Sequence, residues 1–152
     1  MHRCTRALGL LSPFHHFLCF NIPMRIEHVA VWTGDIERLC SFYERWFGAF
    51  VGRIYLNESK GFSSCFLTFS SGARLEIMKS EEVRAPSREK PGPLPGYAHI
   101  AFSTGSENAV DVLTARIRDG GHTVLDGPRR TGDGYYESVV LDPDGNRVEI
   151  TA

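Results

Sequence analysis

Two stretches of the chain, Ile-Glu-His-Val-Ala-Val-Trp-Thr at 26–33 and Tyr-Ala-His-Ile-Ala-Phe-Ser at 97–103, share one pattern of residues. Each alternates large apolar side chains with small or polar ones, which is typical of a half-buried β-strand. In each stretch a histidine, His28 or His99, lies on the face opposite the large apolar side chains. The recurrence indicates that the chain contains two copies of one structural unit.

The same succession of elements follows each of these strands. Asp35 and Ser106 can each cap a helix with a side-chain oxygen. Apolar residues then recur at helical spacing, and glycine ends the helices at Gly48 and at 120–121. Three strand-like runs complete each unit, at 49–56, 62–70 and 73–79 and again at 122–126, 134–141 and 147–151. The pattern predicts an α+β fold of two tandem β-α-β-β-β modules.

A segment rich in proline and glycine, residues 80–96, separates the two units. This composition indicates a linker between modules 24–79 and 97–152, which together form one domain. Residues 1–23 precede the first module, and their apolar run is broken by a proline and is too short to span a bilayer. We interpret them as an N-terminal extension, either a tail or the product of an upstream start.

Composition narrows the classes of function. The chain has 152 residues, enough for one well-packed domain, and a formal net charge of −1. That charge gives no basis for binding nucleic acid or an anionic membrane. Four cysteines are present without a Cys-x-x-Cys pair, so neither a thiolate zinc site nor a redox motif is indicated. We expect the cysteines in the patterned part of the chain to be buried free thiols, as is typical of a cytoplasmic protein.

Two glutamates match the two histidines. Glu76 lies in Leu-Glu-Ile and Glu149 in Val-Glu-Ile, each between two apolar strand residues. The separation from histidine to glutamate is nearly the same in both modules, 76 − 28 = 48 and 149 − 99 = 50 residues. Taken singly, each residue has an ordinary explanation as a hydrogen-bonded strand histidine or a solvent-facing glutamate. Their coincidence in both modules favours a common role.

That common role is metal binding. If the two sheets curl towards each other, His28, Glu76, His99 and Glu149 converge in a cleft. Two unpaired carboxylates placed together are unfavourable, and a divalent cation that coordinates both removes the repulsion. Two nitrogen and two oxygen ligands without a thiolate suit Zn²⁺, Ni²⁺, Fe²⁺, Co²⁺ or Mn²⁺. The sequence therefore predicts one divalent metal ion with these four ligands and with open positions for a substrate.

The paired modules, the two histidine motifs and the two glutamate motifs resemble the vicinal oxygen chelate superfamily over about residues 24–152. That superfamily includes glyoxalase I (lactoylglutathione lyase), methylmalonyl-CoA epimerase, fosfomycin- and bleomycin-resistance proteins and extradiol dioxygenases. The likeness is greatest to small bacterial glyoxalase-like proteins, through residues 72–78 and 133–146. The order His, Glu, His, Glu is the one glyoxalase I uses. The dioxygenases and fosfomycin-resistance proteins have three metal ligands instead of four. The epimerase has glutamine at the position of Glu76, and bleomycin-binding members usually lack the four ligands.

The resemblance implies a metal-dependent lyase or isomerase. Its substrate would be a hemithioacetal or another α-hydroxycarbonyl compound, bound through vicinal oxygens and converted through an enediolate. By the same resemblance Glu149 is the general base and Glu76 faces it across the metal. Two alternatives stay open on the same scaffold, an epimerase or dioxygenase and a non-catalytic protein that binds a small molecule.

The resemblance also bears on substrate and assembly. The segment after Glu76 lacks the asparagine with which glyoxalase I recognises glutathione, so the thiol partner stays open. Candidate substrate-binding residues are Arg74, which shares strand parity with Glu76, Arg129 and Arg130, which we expect in a loop before the last hairpin, and Tyr135. The alternative is that the arginines are solvated surface residues. Many relatives complete their cleft across a two-fold axis, so we expect a homodimer, and the quartet could assemble within one chain or between two.

Overall fold

A computed structural model of the protein describes residues 25–83 and 97–152. The N-terminal extension proposed for 1–23 and most of the linker proposed for 80–96 lie outside the described residues. Within the described ranges, no helix is long and apolar enough to cross a membrane.

The first module is a five-stranded sheet covered by one helix. In chain order its elements are β1 (His28–Trp32), α1 (Ile36–Phe47), β2 (Phe50–Val51), β3 (Tyr55–Asn57), a 3₁₀ turn (Glu58–Lys60), β4 (Phe62–Thr68) and β5 (Arg74–Ser80). Strands β1 and β5 are parallel neighbours, and β4 pairs antiparallel with β5 on one side and with β2 and β3 on the other.

The second module repeats this arrangement with four strands. Its elements are β6 (Ile100–Ser103), α2 (Glu107–Asp119), β7 (Val124–Arg130), β8 (Tyr136–Leu141) and β9 (Arg147–Thr151). The strand order in its sheet is β6-β9-β8-β7. The strand carrying the histidine motif is again the parallel neighbour of the strand carrying the glutamate. The predicted α+β fold of two β-α-β-β-β modules is confirmed.

The helix boundaries follow the capping residues. The Asp35 carboxylate accepts a hydrogen bond from the backbone N–H of Arg38 at 3.0 Å, which begins α1. Gly48 ends the same helix with φ of 65°, a conformation that costs a residue with a Cβ more than it costs glycine. The Ser106 hydroxyl accepts from the backbone N–H of Ala109 at 3.3 Å and begins α2.

Two predicted strands differ from the structure, and β-bulges explain both. The run predicted at 49–56 is two short strands, because the register against β4 shifts by one residue between the Val51–Leu67 pair and the Tyr55–Ser64 pair. The run predicted at 122–126 continues to Arg130, because two register shifts let β7 stay paired with β8 through a Gly-Pro dipeptide. Arg129 and Arg130 therefore belong to a strand and not to the loop that the sequence indicated.

The apolar faces of both sheets and both helices share one core. Phe102 of the second module stacks on Phe47 of α1, with ring centroids 4.5 Å apart. The buried Tyr43 hydroxyl donates to the Asp142 carboxylate in the turn between β8 and β9, at 3.1 Å. Gly120 lies against the Trp46 ring so closely that a Cβ there would be 2.4 Å from it. These contacts fix the two modules to each other through their helix-bearing faces.

Candidate metal centre

The first module brings His28 and Glu76 together on the face that its helix leaves uncovered. In the parallel pairing of β1 with β5, Glu76 lies opposite Ala30, two residues along the strand from His28. Both side chains project from the same face, and Nε2 of His28 is 3.8 Å from Oε2 of Glu76. The Glu76 side chain is only 16% exposed, which keeps its carboxylate close to the sheet.

The second module makes the equivalent pair. His99 immediately precedes β6, and Glu149 of β9 lies opposite Ala101. Nε2 of His99 is 3.5 Å from Oε2 of Glu149, whose side chain is 18% exposed. The two pairs agree in atoms, separation and burial, as expected for two copies of one unit.

The donor atoms fit a shared divalent ion better than they fit each other. Separations of 3.5 and 3.8 Å are too long for a hydrogen bond between nitrogen and oxygen. Two ligands that each lie about 2.1 Å from one ion, at an angle of 90–120°, are about 3.0–3.6 Å apart. The separations in the two pairs are close to this range.

The structure assembles the four residues as two pairs and not as a quartet. Across residues 25–83 and 97–152, no group of three or more His, Cys, Asp or Glu side chains is close enough to hold an ion. The reason lies in the packing: the two sheets share a core through their helix-bearing faces, whereas both pairs lie on the opposite faces. One described chain thus carries two separate half-sites.

Sequence reasoning missed Glu27, which holds the imidazole of His28. Its carboxylate lies 2.6 Å from Nδ1 of His28 and accepts a hydrogen bond from Nε of Arg74 at 2.8 Å. A carboxylate acceptor at Nδ1 favours the tautomer that leaves the Nε2 lone pair free towards Glu76. The hydrogen bond from His28, followed by that from Arg74, lowers the pKa of the Glu27 carboxyl. Glu27 precedes β1, which begins at His28, so the alternation of side chains along the strand does not determine which face its side chain reaches.

Glu137 is a second residue that the sequence did not single out. It lies on β8 opposite Thr151, on the same sheet face as Glu149. Burial, followed by the charge of Glu149, raises the pKa of its carboxyl. Arg129 lies opposite it on β7, with a guanidinium nitrogen 3.7 Å from Oε1 of Glu137 and hydrogen-bonded to Asp126 at 2.7 Å. The half-site at Glu149 is therefore flanked by a second carboxylate and an arginine.

The four predicted substrate-binding residues differ in their position relative to the half-sites. Arg74 and Arg129 lie on the faces that carry the half-sites, and the Arg74 guanidinium stacks on the Phe66 ring at 4.0 Å. Tyr135 is 59% exposed and lies just before β8. Arg130 instead forms an ion pair with Glu107 of α2, so its side chain points to the helix side of the sheet and away from the half-site.

Comparison with known proteins identifies the family. The sequence model of the Glyoxalase/Bleomycin resistance protein/Dioxygenase superfamily matches residues 25–150. A lactoylglutathione lyase of Escherichia coli O157:H7 is 24% identical over 127 residues, which are 84% of this chain and 91% of that protein.

Solved structures give the same fold. The trypanothione-dependent glyoxalase I of Leishmania major superposes with a TM-score of 0.67 at 24% identity, covering 84% of this chain and 86% of that one. A glyoxalase family protein of Enterococcus faecalis superposes with a TM-score of 0.68 at 24% identity, covering 84% and 97%. With the family model matching most of its length, this chain belongs to the glyoxalase/bleomycin resistance protein/dioxygenase superfamily.

Proposed function

We propose that the protein is a metal-dependent, glyoxalase I-like lyase or isomerase that acts on a hemithioacetal or a related α-hydroxycarbonyl substrate. The observation that carries the proposal is the pair of matched histidine–glutamate half-sites, with donor atoms 3.8 and 3.5 Å apart, in a chain of this superfamily.

The proposed metal ligands are His28, Glu76, His99 and Glu149. Their two imidazoles and two carboxylates suit Ni²⁺ or Zn²⁺, and also Fe²⁺, Co²⁺ or Mn²⁺. When bound, such an ion supplies Lewis-acid stabilisation of the negative charge that develops on the substrate's vicinal oxygens. Glu149 accepts the proton from the substrate carbon and returns it to the neighbouring carbon, while Glu76 balances charge from the other side.

A homodimer would bring the two half-sites together. Each half-site lies on a face pointing away from the core that the two modules of one chain share. A second copy related by a two-fold axis can set the first module of one chain opposite the second module of its partner. We infer that each metal centre takes one histidine–glutamate pair from each chain, which yields two centres per dimer.

Arg74, Arg129 and Tyr135 are the proposed substrate-binding residues. The two arginines lie on the ligand-bearing faces, where a guanidinium can bind a carboxylate or carbonyl oxygen of the substrate. We do not include Arg130 among the proposed substrate-binding residues, because its ion pair with Glu107 holds its side chain on the opposite side of the sheet. The free, buried thiols of Cys40 and Cys65 suit the reducing cytoplasm, which is the location we propose.

Metal analysis combined with one activity screen tests the proposed function. The purified chain is analysed for bound metal and then assayed, with and without added Ni²⁺ or Zn²⁺, on hemithioacetals of methylglyoxal with several thiols, glutathione among them. We expect about one ion per chain and turnover that is lost with a chelator and restored by metal. A protein that binds no divalent ion and shows no metal-dependent turnover would contradict the proposal and favour a non-catalytic binding protein.

A further inference from the structure

An aromatic cleft lies on the same sheet face as the half-site of the first module, at its far end. It is a cavity of about 660 Å³ between the Trp32 end of β1 and the turn that joins β3 to β4. Trp32 is 46% exposed, and its ring meets Phe62 edge-on with centroids 6.3 Å apart. Tyr55, also exposed, lies 6.3 Å from Phe62 on the other side. The volume is in the range of small-molecule sites.

The strand register connects this cleft to the half-site. Trp32 is four residues beyond His28 on β1, so the two side chains share a face about 13 Å apart. Ala30 lies between them on β1, and Met78 lies opposite Trp32 on β5. An extended ligand that reaches from the half-site to the cleft would therefore cross the small side chain of Ala30.

The charges around the cleft select a cation. Glu58, Glu81 and Glu82 line the cavity, and Lys60 is the one basic residue among its described lining residues. Glu81 lies against the turn at Gly61: its backbone N–H donates to the Gly61 carbonyl at 3.4 Å, and a Cβ on Gly61 would lie 3.2 Å from Cδ of Glu81. Exposed aromatic rings bordered by carboxylates attract an organic cation through both the ring faces and the charge.

We propose that this aromatic cleft binds the end of the substrate that is remote from the reacting carbons, and that this end is an apolar or aromatic group carrying a positive charge. The proposal rests on the proposed function for its link to turnover. It assigns the thiol partner to cationic thiols with an apolar or aromatic arm, in place of a peptide thiol with two carboxylates. Three carboxylates around the cleft repel such an anion.

A binding titration tests the cleft without requiring activity. The chain has two tryptophans, so ¹⁵N-tryptophan labelling gives two indole signals, and the Trp32→Phe variant assigns them. The full chain is titrated with benzyltrimethylammonium and, as a matched anion, with benzenesulfonate. We expect the Trp32 signal to shift with the cation, at a dissociation constant about tenfold lower than for the anion. The double variant Glu81→Gln, Glu82→Gln should remove the preference, whereas the control Glu44→Gln on α1 should keep it.

A kinetic comparison connects the cleft to the substrate. Methylglyoxal adducts of two benzyl thiols, one with a para-aminomethyl and one with a para-carboxylate group, are compared by kcat/KM. We expect the cationic adduct to be preferred about tenfold, and Trp32→Ala to abolish that preference mainly through KM.

The two tests distinguish a failure of the cleft proposal from a failure of the proposed function. No shift of the Trp32 signal, or tighter binding of the anion, would overturn the cleft proposal even if the enzyme turns over hemithioacetals. Cation binding at Trp32 in a protein without lyase activity would support the cleft and overturn the proposed function instead.

Discussion

Glu149 combines a half-buried carboxylate with a neighbouring histidine at 3.5 Å and a second carboxylate, Glu137, on the same face. In the proposed mechanism Glu149 is the base that removes a proton from the substrate carbon. We predict that Glu149→Gln lowers kcat by about 10²–10⁴-fold, because the amide keeps the shape but cannot accept the proton. Steady-state kinetics checks this, with circular dichroism and size-exclusion chromatography expected to be unchanged. Retained turnover would exclude Glu149 as the base.

If the proposed metal centre forms, Glu27 would act on it through His28, as a positioning residue. Its carboxylate lies 2.6 Å from Nδ1 of the imidazole and so favours the orientation with Nε2 towards Glu76. We predict that Glu27→Ala weakens Ni²⁺ or Zn²⁺ binding about 10–100-fold, measured by competition with a chromogenic chelator. The matched change Glu44→Ala, on the exposed side of α1, should leave the affinity unaltered. Equal affinities for the two variants would show that Glu27 does not orient the ligand.

The thiol of Cys40 is predicted to be inert in the folded protein. Burial, followed by the proximity of Cys65, raises the pKa of Cys40 to about 12. At pH 8 about one such thiol in ten thousand is ionised, and the thiolate is the form that reacts. Iodoacetamide at pH 8 should therefore leave Cys40 unmodified until denaturant is added, as judged by mass spectrometry of its peptide. Rapid modification of the native chain at Cys40 would contradict the buried position of this thiol between α1 and β4.

At the scale of elements, the contact between α1 and the end of α2 joins the two modules. A Cβ on Gly120 would lie 2.4 and 2.7 Å from two carbons of the Trp46 ring. We predict that Gly120→Ala lowers the free energy of unfolding by about 1–3 kcal/mol, because a packed indole cannot move without opening the core. Urea denaturation measures the loss. Gly34→Ala, where a Cβ would have no atom within 4 Å, is the control and should change stability far less.

The elements that the sequence predicts well are those with local signals. Asp35 and Gly48 mark the ends of α1 by chemistry that acts within one helical turn, so both boundaries agree with the structure. Arg130 shows the opposite case. Its place in a strand depends on two register shifts against β8, and a bulge arises from the pairing of two distant segments. Nothing in the dipeptide Gly-Pro before it distinguishes a bulged strand from a loop.

At the scale of the molecule, the sequence predicts each half-site but not their relation. The alternation of β1 and the repeat place His28 and Glu76 on one face, and likewise His99 and Glu149. Whether the two faces meet depends on which sides of the sheets form the core. The spacing of apolar residues such as Phe47 and Phe102 indicates that they are buried. Their stacking on each other, however, depends on how the two modules pack together. That packing separates the two half-sites within the chain.

Because the half-sites are separate, activity should depend on pairing of two chains, and mixed dimers can reveal it. One variant carries His28→Ala and Glu76→Gln, and the other carries His99→Ala and Glu149→Gln. Alone, each should be inactive, because every centre lacks one pair of ligands. When the two are co-expressed, each heterodimer has one centre with both pairs intact and one with neither. We predict about a quarter of the wild-type activity per chain, because about half of randomly formed dimers are heterodimers. No recovery in co-purified heterodimers, with wild-type activity in the parent protein, would mean that one chain supplies all four ligands.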